Sequence, residues 1–446
     1  MPQNSKSHNN YVNNAFSPRL IVKSWVMPTG FRKTNPFKFL ITYLIFFGLL
    51  TAVIIFYSVW TYYDISLPLS PPSSEISSYR ETGTFSEFPI GDEKWTSVIS
   101  DEQLISSPIL VRDVIYVVMG RTSGQGRIKA LNAFDGSLLW EYALQGVSDF
   151  SPVVADEMIF ISLRSGLVQA LDRHNGRFLW SFQAESFMYG PPIIEEGILY
   201  LASVRIYALD AATGEVRWTQ KVPKDVSSKL VLSEDVLAFV GFDGAVKLLN
   251  ASNGKPKLEY SIWFPITDGL VASDSRLVVG GGNAHVIAID MQSVGLPFER
   301  IIRSWWARLW LWGMAPSPST PRGYLWHNSN LQGVESNPFT VDKDFVYVGT
   351  KDSKLLDSGG KIVALGIDDG KFRWKTSLDS FPISAQLVGQ GGLLVATKSG
   401  QLHFLSKNSG FPTHKVESGF SLGAPPGIGR NQVIVVNKSG VIKSLK

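Results

Sequence analysis

The chain has no cysteine. Disulfides, thiolate metal sites, a cysteine nucleophile and a lipid-bearing N-terminal cysteine are all excluded. Histidine is scarce, and the six copies (His8, His174, His285, His327, His403, His414) are scattered. His174 and His414 lie in or beside turns, while His285 and His403 fall in strand-like runs that suit packing. There is no His-Glu-x-x-His pair, no glycine-rich phosphate loop and no Gly-x-Ser-x-Gly elbow. The run GGGNAH (Gly280–His285) is glycine-rich but falls where a turn between strands belongs. The loop KDSKLLDSGG offers Asp352 and Asp357, too few oxygens for a hard cation, and reads as a solvated loop.

Acidic residues are missing from Met1–Tyr63, which holds six basic ones (Lys6, Arg19, Lys23, Arg32, Lys33, Lys38). The rest of the chain carries 36 basic and 38 acidic residues, so the net charge of +4 belongs to the tail. A near-neutral body argues against a nucleic-acid partner. Charge is absent altogether from Phe39–Tyr63, FLITYLIFFGLLTAVIIFYSVWTYY. As a helix these residues would run about 37 Å, enough for a ~30 Å hydrocarbon core. The basic residues all precede it, which predicts residues 1–38 in the cytoplasm and everything after 63 exported. The stretch is too long for a cleaved signal peptide and is followed by Trp60, Tyr62 and Tyr63, not a small-residue cleavage site. It reads as an uncleaved single-pass anchor. Gly48 and Ala52 place two small residues one turn apart, which fits either chance or contact with a second membrane helix. Residues 64–92, rich in Ser and Pro, read as an extended spacer.

From residue 93 the chain repeats. Four segments are clear: ALNAFDGSLLW (Ala130–Trp140), ALDRHNGRFLW (Ala170–Trp180), ALDAATGEVRW (Ala208–Trp218) and ALGIDDGKFRW (Ala364–Trp374). Three are worn: Leu248–Leu258, Ala288–Phe298 and Phe404–His414. Each reads as strand, tight turn, strand. Asp or Asn holds the turn, and Gly136, Gly176, Gly214 and Gly370 supply its positive φ. The Trp that follows is expected to wedge between neighbouring sheets near the small Ala. Ahead of each segment lie two more strands joined by a polar turn such as Arg112–Asp113 or Asp156–Glu157. Units of four strands at close to forty residues predict a β-propeller. Eight third strands can be counted, but the last unit lacks a fourth. The stray strand at Lys94–Ile99, with Trp95 in the Trp position, is expected to complete it and close the ring.

The signature A-x-D-x-x-[TN]-G-x-x-x-W resembles the PQQ-type propeller repeat, over about Lys94 to Lys446. That resemblance implies an all-β, eight-bladed propeller at residues 93–446. It leaves two branches open: the quinoprotein dehydrogenases, which bind PQQ and Ca²⁺ with an Asp base, and non-catalytic propellers of the BamB type. The chain lacks the adjacent cysteines of many quinoproteins, and its acidic residues cluster at repeat turns, so no catalytic, cofactor or metal residue is nominated. It departs from the BamB type in having no lipidation cysteine.

The repeat spacing breaks once, between Phe298 and Trp374, which are 76 residues apart. Residues 303–335 (RSWWARLWLWGMAPSPSTPRGYLWHNSNLQGVE) lack the turn segment of a ninth blade and read as an insertion. On a helix, Arg300, Arg303 and Arg308 fall to one side, with Ile301, Ile302, Trp305, Trp306, Trp310 and Trp312 over most of the other. Such a helix suits a membrane interface or a partner groove, or packs on the propeller's own rim. The reading is a non-enzymatic, membrane-anchored propeller outside the cytoplasm, in the periplasm or beyond, with no cofactor. It would hold other envelope proteins as a scaffold or assembly factor, through a propeller face and the Trp-rich insertion. The alternatives are a PQQ-dependent oxidoreductase and an accessory subunit of a larger membrane complex.

Overall fold

The computed structural model describes residues 41–53, 92–99, 103–104, 106–120, 125–222, 226–282, 285–296, 299–331, 336–351, 359–389, 391–429 and 432–446. It divides into an N-terminal unit and the unit that holds the repeats. In the first, residues 41–53 form a helix whose side chains are all exposed, among them Leu44, Phe46 and Leu50. Among the described residues no helix is long and apolar enough to cross a membrane. The remainder of the expected span, the basic tail and most of the linker lie outside the described residues, as do Asp352 and Asp357.

The repeats form eight antiparallel sheets, each a blade. The third blade shows the plan: Ile193–Glu195, Ile198–Ala202, Arg205–Asp210 and Val216–Lys221 pair in that order. The two middle strands of a blade are almost wholly buried, because apolar side chains leave both faces of the sheet and meet the neighbouring blades. The core is thus a series of layers, one per seam. Val118 and Ile128 of the first blade pack with Ile159 and Leu171 of the second. Ile115 and Val117 of the first blade meet Ile434 and Ile442 of the eighth.

The ring closes as the sequence predicts. Strand Glu93–Val98 pairs with Val441–Leu445 as the outer strand of the eighth blade, with Trp95 opposite Ser444. Asp92 and Lys446 exchange backbone bonds of 3.1 and 2.9 Å, and Lys443 pairs with Glu93 at 2.9 Å. No blade edge is left open at the seam, where an unpaired strand would invite association.

At most seams the repeated Trp locks one blade to the next. Trp140 lies opposite Ala130 within its own sheet and donates its Nε1–H to the Arg173 carbonyl of the second blade at 2.9 Å. The same bond runs from Trp95 to Ala133 (3.1 Å), Trp180 to Ala211 (3.1 Å), Trp218 to Ala251 (3.0 Å) and Trp374 to Lys407 (2.9 Å). The indole lies flat over the turn glycine of the next blade: a Cβ placed on Gly176 would sit 2.5 Å from Cε3 of Trp140. At φ +70° that position excludes other side chains on backbone grounds as well. Asp172 and Asn250 each accept the backbone N–H two residues on and hold the turn rigid beneath the ring.

The break in spacing has a structural cause. Tyr324–Asn328 is the fourth strand of the fifth blade, and Trp326 stands opposite Ala288. Trp326 donates to the Ile367 carbonyl at 2.7 Å and covers Gly370. Trp326 therefore holds the Trp position of the fifth blade, residues 324–328 of the expected insertion 303–335 belong to the blade itself, and Phe298 lies outside the described residues. The excursion runs inside the turn between third and fourth strands, leaving the blade at Gly295 and rejoining it at Gly323.

The lock predicts a hierarchy of stability. Trp140→Ala should cost about 3–5 kcal/mol, the range for truncating a buried aromatic. Gly176→Ala should cost more than ~1 kcal/mol from the backbone conformation alone. Trp95→Ala, at the seam, should be milder globally but should open the ring there first. Hydrogen exchange would report it as early loss of protection in Val441–Leu445, and equal protection at all seams would refute it.

Candidate functional site

Antiparallel blades sort their connections onto two sides. The hairpins between third and fourth strands, with the locking glycines, share one side with the Asp92–Lys446 junction. The hairpins between second and third strands, and the crossings from blade to blade, lie on the other.

On that second side the third to fifth blades present an arc of aromatic rings. Phe187 and Tyr189 come from the crossing into the third blade, and Phe242 from a hairpin of the fourth. The rings meet edge to face, with centroids 5.4 Å apart for Phe187–Tyr189 and 5.9 Å for Tyr189–Phe242. The next crossing supplies Trp263 and Phe264, and its Ile262 N–H bonds the Gly244 carbonyl of the Phe242 hairpin. Phe187, Phe242 and Trp263 are 54, 66 and 63% exposed, which is unusual for rings this large placed side by side.

Two histidines back the arc. His285 begins the third strand of the fifth blade, and His327 lies opposite Ile287 on the fourth. Their Nδ1 and Nε2 atoms are 3.0 Å apart, so at least one ring is neutral and accepts the bond. Phe264 stacks on His285 at 4.8 Å, and Trp263 meets His327 edge-on at 5.1 Å. Burial, and then the neighbouring His285, hold the His327 imidazole below its ordinary value. The glycine run has its explanation here. A Cβ on Gly281 would lie 2.2 Å from the Phe264 ring, and one on Gly280 would lie 2.0 Å from Phe339. Both rings need bare backbone beneath them.

The Trp-rich excursion occupies a different place. Its helix, Glu299–Leu311, lies against the outer strand of the fourth blade over a cavity of about 330 Å³. Leu258, Tyr260, Arg303, Ala307 and Pro318 contribute to the walls. Arg300 pairs with Asp243 at 3.0 Å and with Glu259. Burial alone would raise the Asp243 carboxyl, but Arg300, Lys247 and the Ala245 N–H outweigh it and keep it below the usual carboxylate range. Arg303 donates to the Ser319 and Thr320 carbonyls, and Trp306 to the Pro316 carbonyl at 3.0 Å, which fold the returning chain against the helix. The helix buries no residue fully. Arg308 remains exposed, 5.2 Å over the Trp305 ring. Ile301, Ile302, Trp305, Trp310 and Trp312 are 47–66% exposed. Of the sequence candidates, then, Arg303 faces the ring, while Trp305, Trp310 and Trp312 face away from it.

First strands of neighbouring blades contact one another around much of the ring and so line its axis. Some are three residues long and mostly apolar, such as Ile109–Val111 and Val153–Ala155, and others are longer, such as Ile266–Ser273 and Pro382–Val388. Among the described side chains of these strands, the carboxylate is Glu195, on the third blade. Among the described residues no three His, Asp or Glu side chains come together to hold a metal ion. These residues do not fit PQQ with its calcium.

Comparison with known proteins agrees with the repeat. The model of the family "Outer membrane protein assembly factor BamB" matches residues 87–293 and 320–442, and the gap brackets the helical excursion. The chain is 24% identical over 387 residues to the outer membrane protein assembly factor BamB of Burkholderia pseudomallei, covering 82% of this chain and 92% of that one. A match to the Yersinia pestis protein of the same name, also 24% identical, covers 53% of this chain and 65% of the relative. Among solved structures, BamB from Moraxella catarrhalis superposes with a TM-score of 0.54 at 15% identity, over 80% of this chain and all of that one. The quinohemoprotein alcohol dehydrogenase of Comamonas testosteroni reaches 0.56 at 13% identity, over 79% and 76%. Those two likenesses speak to the ring alone. The family model covers most of the chain and is broken only around the excursion, and so the chain belongs to the family of the outer membrane protein assembly factor BamB.

Proposed function

We propose that this protein is a non-enzymatic scaffold of the cell envelope. Residues 39–63 anchor it in the cytoplasmic membrane with residues 1–38 inside, and the propeller stands on the far side, where it docks other proteins. The observation that carries the reading is the aromatic arc. Exposed rings on adjoining loops, held by stacking and by histidines from the blade behind, make a firm apolar platform of the sort that anchors protein partners. Membership in a family described as assembly factors supports a role in building the envelope. Among the described residues nothing at the axis favours the quinoprotein alternative.

Purification of the full-length protein in mild detergent, with mass spectrometry of co-eluting chains, tests the scaffold. Phe242→Ser with Trp263→Ser should cut partner recovery by about tenfold or more, as loss of central aromatic anchors does. An unchanged set of partners, with the ring still folded, would refute the platform.

The histidine pair adds a pH dependence. His327 binds its proton more weakly folded than unfolded, so the unfolded chain charges first as the pH falls. Its stack therefore contributes fully above ~6.5 and fades as the pH drops through the depressed value. Melting temperature should fall more between pH 7.5 and 5 in the natural chain than in His327→Phe, which keeps the stack and carries no charge. Identical profiles would remove the histidines from the account.

A further inference from the structure

The helix Glu299–Leu311 turns its ion-paired edge to the ring and its apolar face outward. We infer that this face beds into the headgroup region of the lipid bilayer that carries the chain's own anchor, giving the propeller a second attachment to the membrane. The inference rests on the reading of residues 39–63 as an anchor.

Composition sets the occupant. Indoles and an arginine over an indole match the depth where aromatic rings meet lipid headgroups and a guanidinium reaches phosphate. Width points the same way. A helix that fills a protein groove presents a narrow ridge at i, i+3 or i+4, and i+7. Here Ile301, Ile302, Trp305, Trp306, Trp310 and Leu311 are exposed across a broad arc, and Trp312 and Met314 extend it past the helix end. A flat apolar medium covers such a face better than a groove does.

The chain's route supplies the third argument. The excursion leaves at Gly295 and returns at Gly323, on the side of the ring where Asp92 meets Lys446. The linker joins the propeller on that side. Residues 64–91 can reach at most roughly 95 Å, so the anchor and the helix can meet one bilayer together.

The absence of native cysteine makes the test direct. Full-length protein carrying Leu311→Cys, labelled with an environment-sensitive fluorophore, is reconstituted into vesicles of phosphatidylcholine and phosphatidylglycerol containing nitroxide lipids. Ser439→Cys, in the exposed hairpin of the eighth blade across the ring from the fourth, is the reference. Quenching at 311 should exceed that at 439 by about threefold or more, as expected for a helix seated at the interface. Adding Trp305→Ser and Trp310→Ser should bring it down to the reference level while leaving thermal unfolding unchanged. Trp306 is spared because it holds the return loop. Vesicle-bound protein whose 311 label is quenched no more than that at 439 overturns the inference and leaves the anchor standing. A label shielded from an aqueous quencher without lipid quenching also overturns it, in favour of a protein contact. Protein that fails to float with the vesicles at all overturns the anchor reading, and the inference with it.

Discussion

The bond from an indole N–H to the first carbonyl past the turn residue in the next blade is the contact on which this ring depends. It works only because the glycine beneath has no side chain and a left-handed backbone. Three residues at fixed offsets, Ala, Gly and Trp, thus set strand register, turn geometry and the distance between blades together. Hydrophobic layers supply most of the adhesion between blades, but they are non-directional. The indole bond fixes how far one sheet slides along the next, and hence whether the outer strands finish level around eight seams.

Two seams lack it. Leu258 stands in the Trp position of the fourth blade, and His414 in that of the seventh. At the first of these the turn glycine of the next blade is Gly323, which approaches the Leu258 methyl group and no ring. It is also where the chain carries its excursion. A turn that must fit under an indole has little freedom to grow, whereas one facing a leucine can open and admit extra residues. The excursion then covers the outer strand of the fourth blade, through Arg300 on Asp243 and Glu259. A missing indole and the largest insertion thus share one seam for a common reason.

The same detail decides what could be read without coordinates. Blade number, strand order, turn glycines and ring closure were legible because each is written in local spacing. Trp326 was not, since the excursion altered its turn: Gly323 precedes it by three residues, where Gly136 precedes Trp140 by four. A search for a Trp opposite a small residue, tolerant of loop length, would have found it. The His285–His327 pair was hidden by the same break, because nothing showed that Tyr324–Asn328 lies beside the strand that begins at His285. The aromatic arc was illegible for another reason. Phe187, Phe242 and Trp263 lie on separate loops with no common period, and only the ring brings them together. The amphipathic pattern of the helix was plain, but which face it would turn to the propeller depended on Asp243 and Glu259, carboxylates of a different blade.

A ring of identical locks would have no preferred side or sector. This one has both. Its chain junction, its locking turns and the roots of its excursion fall on one side, and its exposed aromatic platform falls on the other, over the third to fifth blades. The asymmetry arises where the repeat is most worn. Worn repeats free residues from the lock: the fourth and fifth blades keep Leu258 and a displaced Trp326 for packing, and turn Trp263 to the surface over buried Phe264 and the histidines. Function in such a fold is thus to be sought where the signature fails, since a position held by the lock has no freedom to recognise anything else.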